Sequence, residues 1–470
     1  MIGTIARKEL TELSRDGRFR LLAAVILVLA VASTAAGWLQ FTAVSRQHAE
    51  AQRETREQWL GQQEKNPHSA AHYGVYAFKP ASHLSIVDTG LDPYLGVAVW
   101  LEAHRQSEMK FRPAQDRTAI QRFGELNGAE VLLVLVPLFI LLVTFPVFAG
   151  EREQGTLRQL MSLGVAPRLL VAGKALGTLA AVALVIVPVS ALAAVAMAWA
   201  SADSYLAADV SRTVALGATC LVYFLVVTGV GLAVSAWAPS SRVALVTLLG
   251  FWFATSLVAP RIATDVAGSL HPTPNAAEFQ RALDADLSDP EEARQRLARL
   301  QAETLTKYNV TSLDALPVAF SGLSLQSGED HGNEVFDRHF GRLHDQFSNQ
   351  ARVYQWAGLA SPLLAARSLS MALAGTDFEQ HRHFAKAAEA YRRDIQRTLN
   401  DDIARNQRAG QPYLAGTELW SRVPDFTYDA PSIGWVLGRQ ATALTVLAGW
   451  LTLAGALALL ATRRLSATLG

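Results

Sequence analysis

Charge and cysteine are what this sequence has least of. Only 18% of its 470 residues are Asp, Glu, Lys or Arg, against about 25% in a typical soluble domain. The two signs nearly cancel, with 42 basic and 41 acidic residues, so there is no basic footprint for nucleic acid. Cys220 is the single cysteine, which excludes an intrachain disulfide framework and a cysteine-rich metal centre. The phosphate-binding pattern Gly-x-x-x-x-Gly-Lys-[Ser/Thr] is missing. Gly173-Lys174-Ala175 has Arg168 where the upstream glycine belongs and lacks the closing hydroxyl. Gly-x-Ser-x-Gly, the turn of many serine hydrolases, is missing too. Neither catalysis nor a cofactor is expected of this chain, and any ATPase activity has to belong to a partner.

What is present is a set of apolar runs of roughly 20 residues, each long enough to cross a bilayer core of about 30 Å. Six are expected: Leu21 to Phe41, Val131 to Phe148, Gly173 to Trp199, Val214 to Trp237, Val243 to Val258 and Trp435 to Leu460. The first has no Ala-x-Ala-like exit followed by polar sequence and reads as a retained span. Pro137 and Pro146 predict kinks in the second. The middles of the runs carry almost no ionisable side chains. This argues against an ion-coupled carrier, because such groups mark ion routes through lipid. Trp356 to Ala374 is also nearly apolar, but it contains Pro362 and Arg367. A seventh crossing would separate Arg463-Arg464 from the other basic flanks, so this segment reads as a buried or interfacial helix.

Six crossings put both termini on one side. Arg7, Lys8, Arg15, Arg18, Arg20, Arg152, Arg158, Arg168, Lys174, Arg242, Arg463 and Arg464 flank that side, whereas the turn Ser201 to Ser211 has no Lys or Arg. The bias of Lys and Arg toward cytoplasmic loops then places both termini in the cytoplasm. The expected organisation is an amphipathic interface helix (1–20, apolar at Ile2, Ile5, Ala6, Leu10 and Leu13, with Glu9 outside the stripe), a first span (21–44) and a first outer region (45–128). Spans two to five follow (129–260), then a second outer region (261–434), and a sixth span with a short tail (435–470). The two outer regions are expected to build one joint domain. In it, Asn66–Gly74 and Tyr76–Pro80 read as ordered loop. Phe336, Phe340, Leu343 and Phe347 form a helical stripe, as do Phe384, Ala388, Tyr391, Ile395 and Leu399, the latter capped by Thr376 or Asp377.

All eleven histidines lie in the outer regions. His381-x-His383 with Asp377 or Glu379, and His68 with His72, are the groupings that could hold a metal. Neither has a full ligand set at a standard spacing, so these read as solvated or hydrogen-bonded histidines and no metal is expected. Asn309-Val310-Thr311 is a formal glycosylation sequon, a weak three-residue match.

The most informative stretch is Phe148 to Val165, a charged piece between two spans. Leu157, Leu160 and Met161 recur at helical spacing among Glu151, Arg152, Glu153 and Arg158. Gly155 interrupts the turn, and Gly164 with Pro167 closes it. A short amphipathic helix (151–163) across the membrane face, stiffly joined to two spans, is the expected product. The pattern Glu151-x-Glu-x-Gly155-Thr156-Leu157-x-x-Leu160-Met161-Ser162 resembles the coupling segment of ABC-2-type transporter permeases. Further stretches resemble a bacterial subgroup of that family with a large outward insertion of unknown function. These are Asn66 to Pro80, Leu101-Glu102-Ala103-His104, Arg122-Phe123-Gly124, Gly173-Lys174, Ser361-Pro362-Leu363-Leu364 and Ser368 to Phe378.

The resemblance implies an all-α integral membrane protein with six transmembrane helices of ABC-2 exporter type and a large, mainly helical extracytoplasmic domain, in a bacterial inner membrane. It also implies two permease subunits, identical or related, and two copies of a separate ATP-binding subunit. That subunit would dock on Glu151, Arg152, Gly155, Thr156, Leu157, Arg158, Leu160 and Met161. The alternative is a membrane-anchored interaction protein that moves or senses a periplasmic partner without carrying cargo.

Overall fold

The computed structural model describes residues 1–110, 112, 127–200, 206–408 and 411–467. Arg122-Phe123-Gly124 and the start of the Ser201–Ser211 turn lie outside them. Helix dominates. Among the described residues, six helical segments are long and apolar enough to cross a membrane: Gly17–Leu60, Gly128–Glu153, Pro167–Val195, Asp209–Trp237, Ser241–Leu270 and Ala441–Arg464. The protein is thus a helical chain with the spans expected of a membrane protein.

In chain order, α1 (Ile2–Arg15) is followed by α2 (Gly17–Leu60), which runs unbroken from the first span into the outer domain. Asp16 separates them and caps α2 by accepting from Arg18 N. The second span is broken where proline requires it. A π-helical turn at Val131–Leu135 precedes Pro137, and α4 (Val136–Thr144) gives way to α5 (Pro146–Glu153) at the second proline. The Ser235 hydroxyl enters this kink. It donates to Phe145 O at 2.7 Å and accepts from Phe148 N and Ala149 N at 3.0 and 3.2 Å. The broken ladder is therefore satisfied without water, as lipid demands. α6 (Thr156–Ser162), α7 (Pro167–Ala200), α8 (Leu206–Trp237) and α9 (Ser241–Phe253) complete this half. The fifth span, expected to end at Val258, continues as helix through α10 (Ala259–Leu270).

The outer regions fold together. Three short segments join α3 (Pro67–Tyr73) to β1 (Val75–Phe78), β2 (Ala98–Glu102) and β3 (Arg105–Lys110), an antiparallel sheet in that order. The described chain remains predominantly helical, as expected, with this small sheet added. One expectation is corrected: Asn66–Pro80 holds a helix and a strand rather than loop. Val75 pairs with Leu101 and Ala77 with Val99, so the alternate, inward residues of both strands form one apolar face. That face packs on α15 (Phe378–Asn406). Val75, Ala77, Val99 and Leu101 share a core with Phe384, Ala388, Ile395, Leu399, Trp59 and Trp420. The Trp59 indole donates to Trp420 O at 2.9 Å, locking the tip of α2 to a segment 361 residues later.

α11 (Ala276–Leu287), α12 (Pro290–Tyr308) and α13 (Phe320–Trp356) form the rest of the domain. The expected stripe is used there: Phe336 is buried with Phe279 and Leu283, and Phe340 and Leu343 flank them. Asp377 caps α15, accepting from Gln380 N at 3.0 Å. Arg212, near the start of α8, joins spans to domain, with Nη2 2.6 Å from Pro431 O and Nη1 3.2 Å from Gln380 Oε1.

The apolar segment before Gly375 forms α14 (Pro362–Ala374), 13 residues long, which at 1.5 Å per residue is about 20 Å and too short to cross. It is buried on nearly every side among the spans, with Leu363, Leu369 and Leu373 in the same core as Leu216, Cys220 and Val446. The last span begins one short helix later than expected. Ile433–Arg439 ends at Gln440, and α16 (Ala441–Ala467) is the crossing helix.

Topology is testable on these surfaces. With Cys220 replaced by Ser, a membrane-impermeant maleimide should label Ser288→Cys in intact cells and Ser162→Cys only after permeabilisation. The reverse pattern would invert the orientation.

The domain should also be acid-sensitive. Burial pushes His344 down to about 4, aided by Arg382 and Lys386 and opposed by Asp345 and Glu379. Burial likewise pushes His381 down to about 3, with Lys79, His344 and Arg112 adding to it. Both remain neutral when folded, whereas the unfolded chain takes up protons near 6.5. Stability present above that value should be lost as the pH falls toward 4. Thermal unfolding in detergent should show a falling midpoint over this window and a shallower slope in His344→Phe.

Candidate functional site: a charged elbow between two spans

The segment expected to be one helix is an elbow of two. α5 ends at Glu153, and Gly155 takes φ +74° to start α6. That left-handed conformation is open to glycine at little cost and strained for most side chains. Gly164, at φ +76°, then turns the chain into Pro167, the first residue of α7.

Three consecutive charged side chains fasten the elbow. Glu151 reaches Lys174 of α7 at 2.9 Å and Lys8 of α1 at 3.4 Å. Arg152 donates to Ala238 O and Ala236 O, both at 2.6 Å, occupying carbonyls freed where α8 ends. Glu153 accepts from Ser241 N at 2.9 Å and from Ser241 Oγ at 2.7 Å, at the N-terminus of α9, where a carboxylate is favoured. The elbow is thereby attached to α1, α7, α8 and α9.

Lys174 is the hub, at 2% exposure. It also meets Glu9 of α1 at 2.8 Å and lies over the Phe148 ring. Burial raises the Glu9 carboxyl, and Lys174 works against that. Glu9 was expected outside the apolar stripe of α1; it is buried instead, because its partner is inside. Close approach makes the pairing possible. A Cβ at Gly173 would lie 2.6 Å from Ile5 Cβ, and one at Gly177 would lie 2.6 Å from Glu9 Cβ and 2.8 Å from Ala6 O. α1 is therefore seated on α7 through two glycines four residues apart, a spacing that lets helix backbones meet.

The expected interface residues divide. Leu157 and Met161 are buried, at 4% and 6% exposure, in a core with Val147, Phe148, Leu170, Val171 and Leu232, and Leu160 lies against it. Within this chain the apolar face of α6 is turned toward the chain's own spans. Glu151 and Arg152 are likewise turned inward, and Thr156 Oγ1 donates to Glu151 O at 3.2 Å. Gly155 and Arg158 face outward with Gln159, Ser162 and Leu163. Leu163 is 78% exposed and was not singled out from the sequence. Its signal was its place beside Gly164, one step off the helical stripe.

The histidine groupings also divide. Asp377 is used as a helix cap, Glu379 accepts from Ser348 Oγ at 2.5 Å and pairs with Arg439, and His383 Nδ1 lies 3.0 Å from Tyr428 OH. His381 is buried. These four do not converge. His68 and His72 do, and His104 stands beside them.

Residues 276–429 match a family described as a domain of unknown function (DUF3526). The match covers α11 to α15 and the Trp420 segment, and neither the elbow nor the spans. No curated protein matches the chain.

Removing the hub should be costly. Lys174→Met leaves buried Glu9 without its cation and Glu151 with Lys8 alone, and breaking a buried pair costs about 3–5 kcal/mol. Thermal unfolding in detergent should show a marked fall in midpoint, and adding Glu9→Gln should restore part of it.

Proposed function

We propose that this chain is the membrane-spanning permease subunit of an ABC-2-type transporter. It would dimerise with a second copy or a related chain, work with two copies of a separate ATP-binding subunit, and export a substrate across a bacterial inner membrane. Both termini would be cytoplasmic and the joint outer domain periplasmic. The observation that carries this reading is the elbow. Its side chains Glu151, Arg152 and Glu153 grip four helices, the first through Lys174 of α7 and Lys8 of α1, while a short edge of Arg158, Gln159, Ser162 and Leu163 is left exposed. A push on that edge has rigid attachments to follow into the spans. The family resemblance of the same stretch supports the reading, as does the concentration of Lys and Arg on that side.

A second reading is favoured by α2, which passes without a break from the first span to the outer domain. In that reading ATP hydrolysis moves the domain against a periplasmic partner and no cargo crosses. Substrate-stimulated ATPase activity with accumulation in liposomes supports transport, and stimulation by a periplasmic partner without accumulation supports the second.

Leu163→Asp tests the docking edge. Interfaces place an apolar anchor within a polar rim, and removing such an anchor costs about 2 kcal/mol or more, roughly 30-fold in affinity. The variant should fold normally yet lose copurification with the ATP-binding subunit. Leu157→Asp should instead lower the yield of folded protein. Undiminished association of Leu163→Asp would defeat the docking assignment.

A further inference from the structure

His68 and His72 lie one turn apart on α3, so both rings project from the same face. Their Nε2 atoms are 3.2 Å apart. His104 comes from elsewhere, as the second residue of the Ala103–His104 connection between β2 and β3. The three rings stand with centroids 4.7, 5.1 and 5.2 Å apart, and one ligating atom from each lies within 4.8 Å of the other two. A tetrahedral zinc with nitrogens at ~2.0–2.1 Å requires those nitrogens to be about 3.3 Å from one another. The first pair already meets that spacing, and small ring rotations of His104 would close the rest.

The third histidine is held from behind. Glu329 Oε1 lies 2.6 Å from His104 Nδ1 and accepts from its backbone N–H at 2.8 Å. This fixes the imidazole with Nδ1 toward the carboxylate and Nε2 available, the arrangement that orients metal-bound histidines. Glu329 is in turn fixed by Arg392, fully buried, whose Nη1 is 3.0 Å from Oε2. Arg392 is steadied by both Glu389 oxygens at 2.9 Å and by Asn333. His104 itself sits at φ 59°, one of two non-glycine residues among those described in the left-handed region; the other, Asn309, is a common choice there.

We propose that His68, His72 and His104 form a binding site for a divalent first-row transition metal, zinc in the first instance, on the outer domain. Three imidazoles leave a fourth position open to water or to a ligand from another molecule. Imidazole donors select zinc, copper and nickel over magnesium and calcium, which take oxygen ligands. Bound metal would tie α3 to the β2–β3 hairpin and, through Glu329, to α13. The site does not depend on the transport reading.

The test uses the full chain purified in detergent with a tag free of histidine. After equilibration with zinc chloride and gel filtration, elemental analysis should find one zinc per chain and none after His72→Ala. His72 is exposed, so its loss should leave folding intact. His383→Ala, outside the cluster, should retain the metal. Cobalt should give the visible absorption of a four-coordinate site, and magnesium and calcium should not displace it. Glu329→Gln should weaken zinc binding about 10- to 100-fold. Absence of zinc from the folded wild-type chain would overturn the proposal, as would full zinc content in a His68→Ala/His72→Ala/His104→Ala variant.

Discussion

A lysine ammonium removed from water governs one end of this molecule. Lys174 stands within the first turns of a membrane span with almost no solvent contact, and it is tolerable there only because Glu9 and Glu151 reach it from different parts of the chain. Those two carboxylates belong to the N-terminal helix and to the elbow. Satisfying one charge therefore fixes where both must lie. The glycines beneath α1 follow from the same requirement, since the helix has to come close enough for a short acidic side chain to reach the lysine. Arg152 and Glu153 extend the arrangement to the termini of α8 and α9, whose unpaired backbone groups need partners in any case. The elbow has little freedom of its own and shares the movement of its neighbours.

The spans were legible because length and hydropathy alone determine what can cross a bilayer, and the prolines marked where the second span breaks. The stripes of α13 and α15 were legible from period 3.6. Strands of four to six residues were not. Val75–Phe78 carries too few residues to show alternation, and the connection at Ala103–His104 lacks the Asn-Gly or Asp-Gly signal of a tight hairpin. At the elbow, spacing revealed that Leu157 and Met161 share an apolar face. It did not reveal whether that face turns toward a partner or toward the chain's own spans, because the periodicity is identical in both cases. The inward-facing charges were hidden for a related reason: Glu9 and Lys174 look like surface residues until 165 positions of sequence are folded between them. His104 escaped notice because nothing local links it to His68 and His72. Pairing of β2 with its neighbours carries it there.

The outer domain is built on the same economy of long-range pairing. Arg392 and Glu329, both buried, connect α15 to α13, and through His104 to the sheet. Arg212 connects the domain to a span, and Ser361 Oγ, donating to Thr255 O at 2.7 Å, connects α14 to the fifth span. Polar contacts thus sit at the junctions between elements, while apolar surface fills the interior of each layer.

The core that closes over the sheet has an implication for synthesis. Its first half, from Trp59 to Leu101, leaves the ribosome before the second half, from Phe384 to Phe426, exists. Roughly 280 residues and four further spans separate Leu101 from Phe384, and at about 5–20 residues per second the apolar face of the sheet waits on the order of 15–60 s for its cover. During that interval Val75, Ala77, Val99 and Leu101 have no native partner on α15, and the strand edges are open to pairing with other chains. The segment from Trp59 to Leu101 is therefore the part of this core left open to aggregation or proteolysis until Phe384 to Phe426 has been made.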